Sequence, residues 1–291
     1  MADRRPPLPS PEKLTVIPKS MIVNFKMEVR KLMKIGCCMS LFDDRIFSLS
    51  QAGADYVEIG ISELNGHSRE EILQRADALK ASGLSCLAGN LLFPGGLPLV
   101  GEAVDREKTA DYLSDVLDKA ALLGIHTIVF GSGKARAVPE GYSREKTWEQ
   151  LRSLCSQLIA PAAESRDIVC CIEPLNRGEC NILNTCSESA RLVREVDKTS
   201  IRLLVDLYHF DLEREPRASL AGYWGLLAHA HIASAKNGRL FPQPGDGEDY
   251  ASFFRALQEA GYEGSLSLEG SVKGDFLEFA GSSIRYLRTL S

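Results

Sequence analysis

The sequence has no long run of basic residues, no apolar stretch near the ~20 residues of a membrane span, and no C-x-x-C pair. Lys and Arg total 34 against 39 Asp and Glu, for a net charge of −5. Phosphate binding needs a concentrated positive face, so nucleic acid is not expected as a partner. The N-terminus lacks the apolar core of a signal peptide, and no membrane association is expected. Without C-x-x-C spacing, none of the eight cysteines (37, 38, 86, 155, 170, 171, 180 and 186) reads as part of a zinc knuckle. They are expected as reduced thiols in a cytoplasmic protein, several of them in the core. What remains is an ordinary globular composition, 44% hydrophobic and 25% charged. A chain of this size buries roughly three quarters of its extended surface, so a large core is available.

Residues 1–33 differ from the rest. The opening MADRRPPLPSPEKLTVIPKS is Pro-rich and without Gly, and reads as an extension that the fold does not need. From residue 34 to 291 short β-branched runs alternate with helical patterns. Eight strands are predicted, at 34–39, 54–60, 85–92, 126–132, 167–174, 201–209, 227–234 and 264–270. Helices are predicted at 68–81, 102–122, 143–165, 187–197, 249–260 and 274–289, the first with Ser68 as N-cap and Glu71 three residues on. Strand–helix alternation means parallel strands with crossover helices. Eight units in about 255 residues fit a closed (β/α)8 TIM barrel, an α/β fold in a single domain. The rival, an open doubly wound sheet, would want G-x-G-x-x-G in its first turn; here that turn is Cys37-Cys38-Met39-Ser40-Leu41-Phe42-Asp43.

In a barrel the chemistry sits at the C-terminal ends of the strands. Strand five ends in Glu173, strand six in Asp206 followed by His209, strand seven carries His229 and His231, and strand eight ends in Glu269. Residues 229 and 231 face the same side, and His231 is nearer the rim. Carboxylates gathered on one mouth without a cation are costly, so Glu173, Asp206, His231 and Glu269 are expected to bind one divalent metal. Oxygen-rich ligation with one imidazole suits Mn2+ first, with Mg2+, Co2+ or Zn2+ as alternatives. On the first-half rim, Glu58 and Asn90 are expected to contact substrate hydroxyls. The Gly131-Ser-Gly-Lys-Ala-Arg136 segment reads either as an anion cradle or as a solvated loop. Trp148 and Trp224 are expected to pack against helices.

The strings Glu173-Pro-Leu-Asn-Arg177, Asp206-Leu-Tyr-His209, His229-Ala-His231, Pro244-Gly-Asp-Gly247 and Gly261-Tyr-Glu-Gly264 with Leu268-Glu269 resemble the sugar isomerase/epimerase family of xylose isomerase-like TIM barrels. Within it they are most similar to the D-tagatose/D-psicose 3-epimerase group. The resemblance implies that Glu173 and Glu269 are an acid–base pair as well as metal ligands. It implies that His209, Arg239 and Glu179 hold the substrate, a small carbohydrate, and that the protein is a homodimer or homotetramer. Two other readings stand beside a keto-sugar isomerase or epimerase. A metal-dependent dehydratase or lyase acting on a cyclic polyol or keto-glycoside would use the same enolate. A nuclease resembling endonuclease IV would need three zinc ions and more than the five histidines present, and Asp246-Gly-Glu248 offers Glu where that site wants His.

Overall fold

A computed structural model describes residues 33–291. The expected extension lies outside the described residues except for Met33. Eight parallel strands close into a barrel in chain order. They are β1 (Ile35–Cys38), β2 (Tyr56–Gly60), β3 (Cys86–Asn90), β4 (Thr127–Phe130), β5 (Val169–Ile172), β6 (Ile201–Asp206), β7 (Leu227–Ile232) and β8 (Ser265–Leu268). Each lies inside its predicted run, shorter because the polar ends belong to the rim loops. Closure is by β1 on β8, with Cys37 opposite Leu268.

The helices outside are α1 (Arg69–Ala81), α2 (Arg106–Leu122), α3 (Gly133–Arg136), α4 (Arg144–Leu154), α5 (Ala160–Glu164), α6 (Cys186–Val196), α7 (Leu207–Leu212), α8 (Tyr250–Glu259) and α9 (Phe276–Arg288). Ser68 and Glu71 form the expected capping box on α1. The predicted helix 143–165 is interrupted: α4 and α5 are joined by a π-helical turn at Cys155–Ile159. Pro161 has no N–H for the carbonyl four residues back, which favours the wider turn there. After β1 only a 3-10 turn forms, Asp44–Ser48. None of the described helices is long and apolar enough to cross a membrane.

The main core lies between the barrel and its helices, with Ile59, Phe130, Ile172, Phe253 and Leu257 among its buried members. Inside the barrel a small apolar layer, Val129, Cys171 and Leu204, forms the floor. Side chains two apart along a strand face the same way, so the next inward position on β5, β6 and β7 holds Glu173, Asp206 and His231. The cysteines are free, and seven of the eight are buried. Trp224 departs from expectation: it is 73% exposed rather than packed on a helix. It follows a 3-10 turn, Arg217–Tyr223, and only the edge of its indole lies against the chain, at Gly261 just past the end of α8. Trp148 is half-buried and donates to Glu195 at 2.6 Å.

Candidate metal and sugar site

Four strand ends place four candidate ligands together. One ligand atom from each of Glu173, Asp206, His231 and Glu269 lies within 4.8 Å of the others. Nδ1 of His231 is 3.3 Å from Glu173 Oε1 and 3.4 Å from Glu269 Oε2. Glu173 Oε1, Asp206 Oδ2, His231 Nδ1 and the nearby His209 Nε2 are buried without a hydrogen-bond partner. Such orphaned atoms are rare unless something else satisfies them.

The electrostatics point the same way. Burial, reinforced by Glu269 and Glu173, pushes Asp206 up to about 8. Burial also raises Glu173 above the usual carboxylate range. Burial works against ionisation at Glu269 too, but His231 and Arg239 outweigh it and hold that carboxyl down at about 2. Three carboxyls that cannot all ionise comfortably around one imidazole, with Glu173 Oε1 and Asp206 Oδ2 unpartnered, form a cluster that a cation would neutralise. The donor set fits a hard or borderline divalent cation.

Beneath the cluster lies Glu58. It was expected as a rim contact for substrate, and the structure corrects this. Glu58 is fully buried, one layer below the mouth. Its carboxylate takes His229 Nε2 at 2.8 Å, His231 Nε2 at 2.9 Å and the Ser267 hydroxyl at 2.5 Å. The resulting assignment for His231 is Nε2–H donated to Glu58 and Nδ1 facing the carboxylates. His229 is the deeper of the two histidines, as its position implied. Burial opposes the charge on Glu58, but His231 and His229 hold its carboxyl well below the ordinary range.

The other substrate candidates surround the cluster. Asn90 donates to Glu269 Oε1 at 2.9 Å, so its amide nitrogen is already committed to a cluster carboxylate. Arg239 donates to Glu269 Oε2 at 2.5 Å and to Glu179 at 3.2 Å, and lies 3.7 Å from Asp206. Its guanidinium sits over Tyr208, and its backbone is left-handed, φ 62. The Pro244-Gly-Asp246-Gly247 turn fixes this loop: Asp246 accepts Gln243 N–H and Tyr250 O–H, and its carbonyl accepts from Asn237. His209 Nδ1 accepts the Asn176 backbone N–H at 3.2 Å, which leaves Nε2–H as an unpaired donor. Burial, with Arg239, lowers His209 to about 3, so the ring is neutral.

Asn176 and Cys38 had no role in the sequence reading. Asn176 sits three residues after Glu173 and holds both His209 and Glu179. Cys38 is the one half-buried cysteine, with its sulfur within 4.8 Å of Glu58 and His231 ligand atoms. Only the outcome of barrel closure marks it. Arg177, by contrast, turns outward to pair with Glu213. The Gly261–Gly264 turn precedes β8, at the opposite end of the barrel, where Gly264 makes room for the Tyr262 ring.

A profile of the family described as xylose isomerase-like TIM barrel matches residues 48–290. D-psicose 3-epimerase of Agrobacterium fabrum is 28% identical over 258 residues, 86% of this chain and 86% of the relative. 3-Dehydro-D-guloside 4-epimerase of Escherichia coli is 31% identical over 136 residues, 46% of this chain and 50% of the relative. The crystal structure of D-psicose 3-epimerase with D-tagatose from Clostridium cellulolyticum superposes with a TM-score of 0.77 at 20% identity, covering 89% of this chain and 99% of that one. At that identity the superposition speaks for the fold.

Proposed function

The chain belongs to the xylose isomerase-like TIM-barrel family, and from that premise we propose that it is a divalent-metal-dependent epimerase or isomerase of a keto sugar. The observation that carries the proposal is the convergence of Glu173, Asp206, His231 and Glu269 on one point, with three of their atoms buried and unpaired. These four residues would hold the cation, Mn2+ by the donor set. Bound there, it supplies Lewis-acid stabilisation of the negative charge that develops on the substrate's carbonyl and neighbouring oxygens.

The protein's own groups do the rest. The carbon next to a ketone loses its proton to one carboxylate, leaving an enediolate, and regains a proton from the other. Delivery to the opposite face of the same carbon gives the epimer; delivery to the neighbouring carbon gives the isomer. Glu173 and Glu269 are this pair, reaching in from β5 and β8 on two sides of His231. The neutral His209 offers Nε2–H to a substrate oxygen. Arg239 and Glu179 form one wall, a donor and an acceptor for hydroxyls. Asn90 fixes the orientation of Glu269, and Glu58 fixes that of His231.

The relatives include 3-epimerases, a 4-epimerase and putative hydroxypyruvate isomerases, so the reacting carbon is part of the question the experiment answers. Protein loaded with Mn2+ is incubated in D2O with a panel of ketohexoses, ketopentoses and keto-glycosides, and followed by NMR. Deuterium entering at a carbon next to the carbonyl, together with the epimer, is the expected result. Elimination product in place of epimer would turn the assignment to a lyase. No exchange on any keto sugar would overturn it. A single-cation site also disfavours the three-zinc nuclease: His126 precedes β4 at the far end of the barrel, and His67 is stacked on Phe42. The same reading makes the enzyme cytoplasmic and a homodimer or homotetramer.

A further inference from the structure

The segment after β4, Gly131–Arg136, turns out neither as an anion cradle nor as a solvated loop. Arg136 is fully buried. Its guanidinium donates to the Phe130 carbonyl at 2.8 Å and to the Glu173 carbonyl at 2.7 Å. Among the described residues no carboxylate forms an ion pair with it, and its Nε has no partner. A buried guanidinium spent on two carbonyls, one of them belonging to a cluster residue, is an expensive choice for packing alone. The same segment touches Glu173 a second time. A Cβ placed on Gly131 would lie 2.1 Å from Glu173 Oε2. Ser132 has a left-handed backbone, φ 41, and its hydroxyl accepts the Phe93 N–H at 2.9 Å, which pins the turn between the two contacts.

We propose that Gly131–Arg136 is a positioning element for Glu173: Arg136 fixes the residue's carbonyl, and Gly131 leaves the gap through which its carboxylate reaches the cluster. This rests on the reading of the cluster as a cation site. The element acts through Glu173 and touches no substrate. Substituting Gly131 is informative because its backbone is not left-handed, so Ala brings no left-handed backbone strain there. The added methyl meets the far end of a flexible side chain, so the carboxylate gives way and the fold does not.

The test compares wild type, Gly131→Ala, Arg136→Lys and Glu173→Gln. Mn2+ binding is read from the free-ion EPR signal, and melting of the metal-free proteins is measured alongside. Gly131→Ala is expected to weaken Mn2+ binding by about tenfold or more with little change in metal-free melting, as for outer groups that orient a ligand. Arg136→Lys keeps the charge but reaches one carbonyl, and is expected to weaken binding by less. A lower metal-free melting temperature with Mn2+ affinity within about threefold of wild type in both variants would make the segment merely structural and overturn the proposal. Wild type that binds no Mn2+ would instead sink the reading of the cluster. Wild type that binds, with Glu173→Gln weakened and both segment variants unchanged, would sink this inference alone.

Discussion

The two halves of the barrel divide the work. Strands β5 to β8 end in groups that can react or ligate: Glu173, Asp206, His231 and Glu269. From strands β1 to β4 come Glu58, one layer down on β2, Asn90 at the end of β3, and the turn that begins at Gly131 after β4, and these serve the other half. Glu58 holds both histidines from below, Asn90 holds Glu269, and the turn after β4 holds Glu173. Charged ligands need fixed orientation to be worth their burial, and one half of the barrel supplies it to the other.

Substitutions in the two halves should therefore fail differently. Glu269→Gln, in the second half, keeps the size of the side chain and removes a general acid–base group. We expect a loss of more than ~10²-fold in kcat with the melting temperature close to wild type. Steady-state kinetics on the ketose identified by exchange would check this, and near-normal turnover would remove Glu269 from the acid–base pair. Glu58→Gln, in the first half, leaves the ligands in place but weakens their support. Metal affinity should fall by about 10- to 100-fold, with kcat at saturating Mn2+ much less affected than in Glu269→Gln. If Glu58→Gln lowered kcat as deeply at saturating metal, the division of labour would be wrong.

The third test is a smaller effect and concerns pH. In the cation-free protein Asp206 is pushed up to about 8 by burial and by Glu269. Burial disfavours the charged form of His231, but Glu58 and Glu269 hold that ring well above its ordinary range. Above roughly pH 6.5 the unfolded chain has released protons that both groups keep when folded. Stability should then fall as pH rises from about 6.5 through 8. His209, lowered to about 3, is neutral when folded but half-protonated in the unfolded chain near pH 6.5, so it opposes the trend only at the start of the window, where Asp206 and His231 together outweigh it. Saturating Mn2+ should abolish the fall, because ligands bind a cation in their deprotonated forms. Melting curves with chelator and with Mn2+ across this range check it. A flat profile in chelator would mean the carboxyls are not the strained cluster described.

How much of this could be read from the sequence follows the same division. The strand rhythm and the acidic or imidazole strand ends are local patterns, so the barrel and the candidate ligands were legible. The supporting groups were not. Glu58 meets its histidines 171 and 173 residues away, and nothing in VEIG distinguishes a rim carboxylate from one buried a layer deeper. Arg136 looks like a loop cation until β4 and β5 are seen side by side. Trp224 reads as a packing residue because an indole usually is one, whereas here only its edge meets the chain, at Gly261, and the ring is exposed.

The central claim is one cation held by the four strand-end residues, and metal content tests it most directly. Protein purified without chelator or metal-affinity resin is analysed by inductively coupled plasma mass spectrometry, beside Glu173→Ala. The account predicts about one divalent ion per chain in wild type and a large loss in the variant. No ion in wild type, with none taken up from added Mn2+, would contradict it.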